Sequence, residues 1–329
     1  MTLKAPFPWF GGKSRAASLV WQRFGEVRNY VEPFAGSLAV LLGNPAPGCI
    51  ETVNDKDCYL ANFWRALQHD PEGVAYWADW PVNEADQNAR HLWLVNREEF
   101  REEMQTDPEF YSSKIAGWWV YGLSTWIGSG WCELRQLPRG SGAGTGVHRQ
   151  RPHLGGSGAG MGVHRRLPHL WRGRGVHRKL PHLGDAGRGV LDYMLQLADR
   201  LRKVRVCCGD WKRVTGPSVT IRHGLTAMLL DPPYADTAKR TPKIYAIDSA
   251  TVAHQVREWA IEQGNDPLLR IALCGYEGEH KMPPSWKCVP WKTRGGYGSQ
   301  SHGLGRENSH RERIWFSPHC LKALKEKAA

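Results

Sequence analysis

The chain has 329 residues, with 44 Lys and Arg against 32 Asp and Glu, a formal charge of +12 with histidine neutral. That length is one large domain or two ordinary ones, and 41% hydrophobic with 23% charged residues excludes a chain disordered throughout. The longest uncharged stretch, Ile115 to Cys132, is interrupted by Gly, Ser and Thr and is rich in tryptophan, so no membrane span is expected.

Eight cysteines without a CxxC pair predict reduced thiols rather than a disulfide framework. The N-terminal segment MTLKAPFPWFGGK lacks the apolar run of a secretory signal, and the expected compartment is the cytoplasm.

In chain order, the first distinctive segment is Pro8-Trp9-Phe10-Gly11-Gly12-Lys13. Two glycines permit a tight turn beside an aromatic and a cation, a shape that can hold an adenosyl or phosphate-bearing ligand. Tyr30-Val31-Glu32-Pro33-Phe34-Ala35-Gly36-Ser37 predicts a strand running into a Gly-containing turn and then an apolar helix, LAVLLG. In an open α/β sheet such a turn lies at the carboxyl end of the first strand, where small ligands bind. Farther on, Val53-Asn54-Asp55 puts an acid at a second strand end, the position from which a carboxylate grips ribose hydroxyls. The GxGxxG of a dinucleotide site is absent.

From Glu72 to Trp131 the chain reads mostly helical, with NEADQNARHLWLVNREEFREEM as its clearest amphipathic stretch. A low-complexity segment follows, in which GVHRQRPHL from Gly146 recurs as GVHRRLPHL from Gly162 and GVHRKLPHL from Gly175. Ten Lys or Arg and one acid between Arg139 and Gly189 put +9 of the net +12 there. The units are short, unevenly spaced and interrupted by Gly and Pro, too little apolar surface to offset the entropy of ordering. The functional reading is a flexible cationic arm that neutralises phosphates, and the bland one is a solvated loop expansion. A third reading takes the histidine pairs His148/His153, His164/His169 and His177/His182 as metal ligands, although no cysteine or carboxylate cluster stands beside them.

Beyond the repeat, Val190, Met194, Leu197, Leu201 and Val204 recur at helical spacing, with Arg200, Arg202 and Lys203 closing the last turn. Strand-like runs follow at VRVCC, AMLL, LLRIALC and RIWF, and a helix is predicted over Ser249 to Gln263, capped by Asp248 or Ser249 and stopped by Gly264. Strands alternating with helices on both sides of an insert predict an α/β fold with a mainly parallel sheet. Residues 1–68 and 190–329 would form that core, with a helical region at 69–138 and the basic repeat at 139–189.

Leu229-Leu230-Asp231-Pro232-Pro233-Tyr234 is the segment with the clearest chemistry. Two prolines after an apolar strand fix the backbone, leave carbonyls outside the ladder and hold an acid beside an aromatic, a cup suited to a planar amine. The bland alternatives are a turn-capping Asp231 and a core Tyr234. Trp9 and Phe34 could likewise be core aromatics, Asp55 and Asp210 turn caps, and His310, Arg311 and Arg313 a solvated strand end.

DPPY after an apolar strand, preceded in order by FxGxK-like and EPFxGS-like segments, resembles the Dam-like class of adenine-specific DNA methyltransferases (alpha motif order), which use S-adenosylmethionine. The resemblance covers roughly residues 4 to 68 and 190 to 318. It implies a Rossmann-like methyltransferase sheet, a target-recognition region at 69–138, double-stranded DNA as partner, no metal, no membrane and no obligatory protein partner. It also implies a nucleoid-associated enzyme of a prokaryotic or phage-infected cell. On the matching positions, Trp9 and Lys13 are similar to N-terminal cofactor contacts, Glu32, Phe34 and Gly36 to the methionine-side turn, and Asp55 to the ribose ligand. Asp210, in Cys208-Gly209-Asp210-Trp211, resembles the acid flanking the cofactor adenine. Asp231, also on the cofactor side, and the Pro232 carbonyl would accept hydrogen bonds from the target amine while Tyr234 stacks on the extruded base. Arg294 to Gly298 and Glu307 to Arg313 would be substrate-side loops, and the repeat matches no motif of the class. The alternatives are methylation of adenine in RNA, methylation of cytosine at its exocyclic amine, and a non-catalytic nucleic-acid-binding protein whose working part is the repeat.

Overall fold

The computed structural model describes residues 3–7, 9, 12–126, 131–132, 186–234, 251–291 and 310–322. Among them are the strands β1 (Asn29–Glu32), β2 (Ile50–Asp55), β3 (Val204–Cys208), β4 (Thr226–Leu230), β5 (Leu269–Tyr276), β6 (Lys287–Pro290) and β7 (Glu312–Phe316). They form one sheet in the order β3-β2-β1-β4-β5-β7-β6. The first five run parallel, and β7 lies antiparallel to both β5 and β6. This is the expected α/β architecture, and it is consistent with a Rossmann-like methyltransferase sheet.

The helices are α1 (Ala17–Phe24), α2 (Ala39–Leu42), α3 (Cys58–His69), α4 (Pro71–Ala78), α5 (Glu84–Val95), α6 (Glu98–Thr106), α7 (Ser113–Thr125), α8 (Ala186–Leu201) and α9 (Val252–Gln263). Central strands covered on both faces must be apolar at every position rather than at alternate ones. In β4, Ala227 and Leu229 join the core beneath α1, α3, α7 and α8, while Met228 and Leu230 face the core that contains Val256 and Ala260 of α9. Tyr30 and Val31 of β1 divide in the same way.

The helical region between β2 and β3 is continuous with the first of these cores. In α3, Asp57 caps the first turn through the amides of Tyr59 and Leu60, and the residues from Cys58 to Leu67 are buried. Trp119 of α7 and Phe63 of α3 each pack against Phe7 with ring centroids 5.2 Å apart. Gly117 lets α7 meet α4, because a Cβ there would lie 2.3 Å from the Trp77 side chain. Arg65 donates from one nitrogen to the carbonyls of Met104, Asp107 and Phe110 and from Nε to Val206 O, joining α6 and its exit loop to β3.

Several boundaries differ from those read in the sequence. The single amphipathic stretch divides at Asn96 and Arg97, where Asn96 closes α5 and Glu98 and Glu99 supply the first-turn acids that favour a new helix start. Val204, in phase with α8 but also the first residue of the expected run VRVCC, opens β3 opposite Glu51, because hydrogen bonds to the sheet outcompete one more helical residue. The apolar run LAVLLG forms only the single turn of α2, entered through a left-handed Leu38 at φ 51°. Helix α9 starts at Val252 behind Thr251, and Asp248 and Ser249 lie outside the described residues. Helix α8 begins at Ala186, inside the segment assigned to the repeat. The remainder of that segment, 139–185, with its six histidines, is outside the described residues.

Candidate active site

The chain runs outward from β1 through β2 to β3, then returns to place β4 on the other side of β1. That reversal is a topological switch point, and ligands of open α/β sheets bind outside the carboxyl ends of the strands there. Strand β1 ends at Glu32 and strand β4 at Leu230, so the Gly36 turn and Asp231 emerge side by side.

The β1 side is a turn held by hydrogen bonds from neighbouring strands. Gly36 takes φ 47°, a conformation that glycine adopts without Cβ strain. Its N–H donates to Asp55 Oδ2 at 3.1 Å, and its carbonyl accepts from Trp64 Nε1 at 3.1 Å. Trp9 lies against the bare Cα, since a Cβ would come within 2.8 Å of its Nε1. Asp55 Oδ1 accepts from the Asp57 amide at 2.9 Å, and burial together with the Asp57 charge pushes the Asp55 carboxyl upward. Asn54 Nδ2 donates to both Pro33 O and Gly209 O at 3.0 Å, binding the ends of β1, β2 and β3 together.

Glu32 is the deepest acid of the group, 1% exposed. Its Oε1 accepts from Tyr30 OH at 2.5 Å and from the Leu41 amide at 3.2 Å, while Oε2 is buried without a hydrogen-bond partner. Burial pushes its carboxyl up to about 8. Phe34 stacks on Trp211 with centroids 6.3 Å apart. Asp210, exposed at the end of β3, accepts from the Lys212 amide at 3.0 Å and so also caps the 3₁₀ turn Trp211–Val214.

The β4 side is a network of charged and polar groups. Lys13 Nζ stands 2.9 Å from Asp231 Oδ2 and donates to Tyr234 OH at 3.1 Å. Tyr234 OH in turn donates to Glu312 Oε2 at 2.8 Å. Lys13 is 4% and Tyr234 7% exposed, whereas the Asp231 side chain keeps 21%. The Tyr234 ring meets Tyr276 edge-on at 4.5 Å, and Lys13 Nζ lies 5.3 Å from the centre of the Trp291 ring.

Asp210, Asp55, Phe34 and Asp231 therefore line adjacent strand ends, with Trp9 over the middle turn. Lys13, which the resemblance implied as a cofactor contact, is bonded to Asp231 and Tyr234. Sequence reasoning missed the tie made by Asn54 and assigned Glu312 to a loop, whereas it is the first residue of β7. The period of two in Glu312, Ile314 and Phe316 could have located it, because the last two face the same core as Tyr234. His310 is exposed, Arg311 lies 5.4 Å from the Tyr276 ring and Arg313 pairs with Glu277 at 2.8 Å. Arg294 to Gly298 and Glu307 to Ser309 lie outside the described residues.

Residues 9–118 match the family model described as D12 class N6 adenine-specific DNA methyltransferase. Over that stretch the chain is similar to DNA adenine methyltransferases, which supports DNA adenine methylation as its activity. No curated protein matches the chain. The matched stretch contains Trp9, Lys13, Glu32, Phe34, Gly36 and Asp55, while Asp231, Tyr234 and Glu312 come from beyond it. Lys13 ties Asp231 and Tyr234 to the matched stretch. Among the described residues, no helix is long and apolar enough to cross a membrane.

Proposed function

We propose that the chain is a DNA adenine methyltransferase that moves the methyl group of S-adenosylmethionine to the exocyclic amine of an adenine turned out of duplex DNA, with Asp231, Pro232 and Tyr234 forming the reacting cup. The observation that carries this reading is the position of Asp231 at the switch point, beside the Gly36 turn and held by Lys13 at 2.9 Å. The motif order supports the Dam-like class.

The residues of the β1 side fit the cofactor. Its ammonium needs an anionic or lone-pair partner, and Glu32 Oε2 is a buried acceptor with none. Its ribose diol needs an acceptor near a second strand end, where Asp55 stands, and its adenine needs an apolar surface, which Phe34 beside Trp211 supplies. Trp9 and Gly36 line the turn between them, and Asp210 flanks the adenine end. The cofactor supplies a methyl group activated by its positive sulfur.

An adenine amine is a weak nucleophile because its lone pair is delocalised into the ring. Lys13 engages one oxygen of Asp231, and a carboxylate retains lone pairs on the other for an N–H of the target. With the Pro232 carbonyl as a second acceptor, the nitrogen is drawn toward a pyramidal form and aimed at the methyl group. Such positioning supplies up to about 7–11 kcal/mol in favourable cases. Turning the base out of the stack costs on the order of a few kcal/mol, partly offset by the aromatic wall of Tyr234.

The net charge of +12 favours a polyanionic partner, with the helical region 69–138 as the target-reading part and the basic repeat as a phosphate-holding arm. A DNA substrate implies action at the nucleoid, in the cytoplasm of a prokaryotic or phage-infected cell. The test is transfer of labelled methyl groups to unmodified duplex DNA, followed by digestion to nucleosides. Wild type should yield N6-methyladenine and Asp231→Ala none, with DNA affinity retained. Label in cytosine, label only in RNA, or equal transfer by the variant would refute the reading.

A further inference from the structure

We propose that Glu312 is the terminal proton acceptor of the methyl-transfer reaction, reached from Asp231 through Lys13 and Tyr234. This rests on the reading of Asp231 as the group that receives the target amine.

The chemistry requires an acceptor. When the nitrogen forms its bond to the methyl carbon it still carries both hydrogens and becomes cationic, so one N–H bond must break. Lys13, Tyr234 and Glu312 are 4%, 7% and 5% exposed, whereas the Asp231 side chain keeps 21%. Together they form an unbroken chain of short contacts: 2.9 Å from Asp231 Oδ2 to Lys13 Nζ, 3.1 Å from Nζ to Tyr234 OH, and 2.8 Å from that hydroxyl to Glu312 Oε2.

The step balances without any other reactant. Asp231 takes the proton from the methylated nitrogen on the oxygen facing the target, and the carboxyl turns to present it at the oxygen facing Lys13. The proton then passes to Lys13 as Lys13 gives one of its own to the Tyr234 oxygen. Tyr234 releases its hydroxyl proton to Glu312. Asp231, Lys13 and Tyr234 end as they began, the product amine is neutral and Glu312 is a carboxylic acid.

The order of acceptors follows from their surroundings. Asp231 is in direct contact with the Lys13 cation. Glu312 is one hydroxyl farther away and faces Lys13, Asp231 and Tyr234 on the site side, Cys274 and Tyr276 of β5, and Glu279 of the turn beyond. Burial raises its carboxyl above the ordinary value and outweighs the lowering by Lys13 and by the Tyr234 hydrogen bond. The buried neutral acid is thus a comparatively stable place for the proton.

A merely structural Glu312 would hold Tyr234 in place and nothing more, and the pH profile separates the two roles. The experiment measures single-turnover methylation by the full chain from pH 5 to 9, on a duplex carrying a site mapped from wild-type products, with cofactor affinity measured alongside. Glu312→Gln keeps the shape and can still accept from Tyr234, while Tyr234→Phe removes only the hydroxyl. Each should be slower by about a hundred-fold, the lower end of what positioned proton transfer contributes, with cofactor affinity unchanged. The relay needs the Glu312 anion, so the wild-type rate should fall as pH drops through the Glu312 titration, and that limb should be absent from both variants. The double variant should be no slower than either single one. Wild-type rate in Glu312→Gln, a slow Glu312→Gln that keeps the acid limb, or multiplicative losses in the double variant would overturn the relay alone. No N6-methyladenine from wild type would overturn the reading of Asp231 and the relay with it.

Discussion

Replacing Glu32 by Gln removes one buried titration with little change of shape, and its effect on stability is set by the structure. Burial lifts the carboxyl from 4.5 to about 8. A carboxyl that holds its proton more tightly when folded contributes its full stability below the unfolded value, and that contribution is lost as pH rises through the folded one. Between 4.5 and about 8 the loss totals about 5 kcal/mol, at about 1.4 kcal/mol per pH unit. Linkage assigns about 2.5 kcal/mol of it to the interval from pH 5 to pH 7. Urea unfolding of the cofactor-free protein at those two pH values measures it directly. Wild type should lose about that much stability relative to Glu32→Gln between them. Asp55 and Glu312 are also pushed upward, so both proteins keep a residual slope, and the difference between them isolates Glu32. Parallel stability curves would refute the argument. The same shift predicts that cofactor binding releases protons, since a cation beside Glu32 favours its anion, and calorimetry in buffers of different ionisation enthalpy would detect this.

Gly36→Ala should lower stability by about 1–2 kcal/mol from its left-handed backbone and, by displacing Trp9, weaken cofactor binding more than DNA binding in equilibrium titrations. Arg65→Met would strand the carbonyls of Met104, Asp107, Phe110 and Val206. A loss of about 3 kcal/mol is expected by thermal or chemical denaturation. Deleting residues 141–185 removes eight Lys or Arg and spares α8, which starts at Ala186. The log–log dependence of DNA affinity on salt should become shallower, and an unchanged slope would refute the phosphate-binding arm.

Glu32 and Glu312 illustrate what could be read in advance. Glu32 stands in a recognisable strand-to-turn segment, so its place at a strand end was legible, but its burial depends on α2 and Tyr30 closing over it. Glu312 has no motif around it and acquires its role only when β7 inserts beside β5. Two local preferences compete at Val204, which continues a helical stripe and opens the strand-like run VRVCC; pairing with Glu51 decides for the strand.

Composition and strand-by-strand apolar runs determined the α/β class, because a sheet covered on both faces leaves that signature in any sequence. Local motifs likewise determined the Gly36 turn, whose conformation glycine permits, and the place of Asp231 at the end of β4. Only the tertiary structure decided which distant side chains meet. Lys13 reaches Asp231 across 218 positions and Tyr234 reaches Glu312 across 78. Such contacts depend on strand order, and strand order is fixed by the packing of the whole sheet rather than by any short stretch of chain.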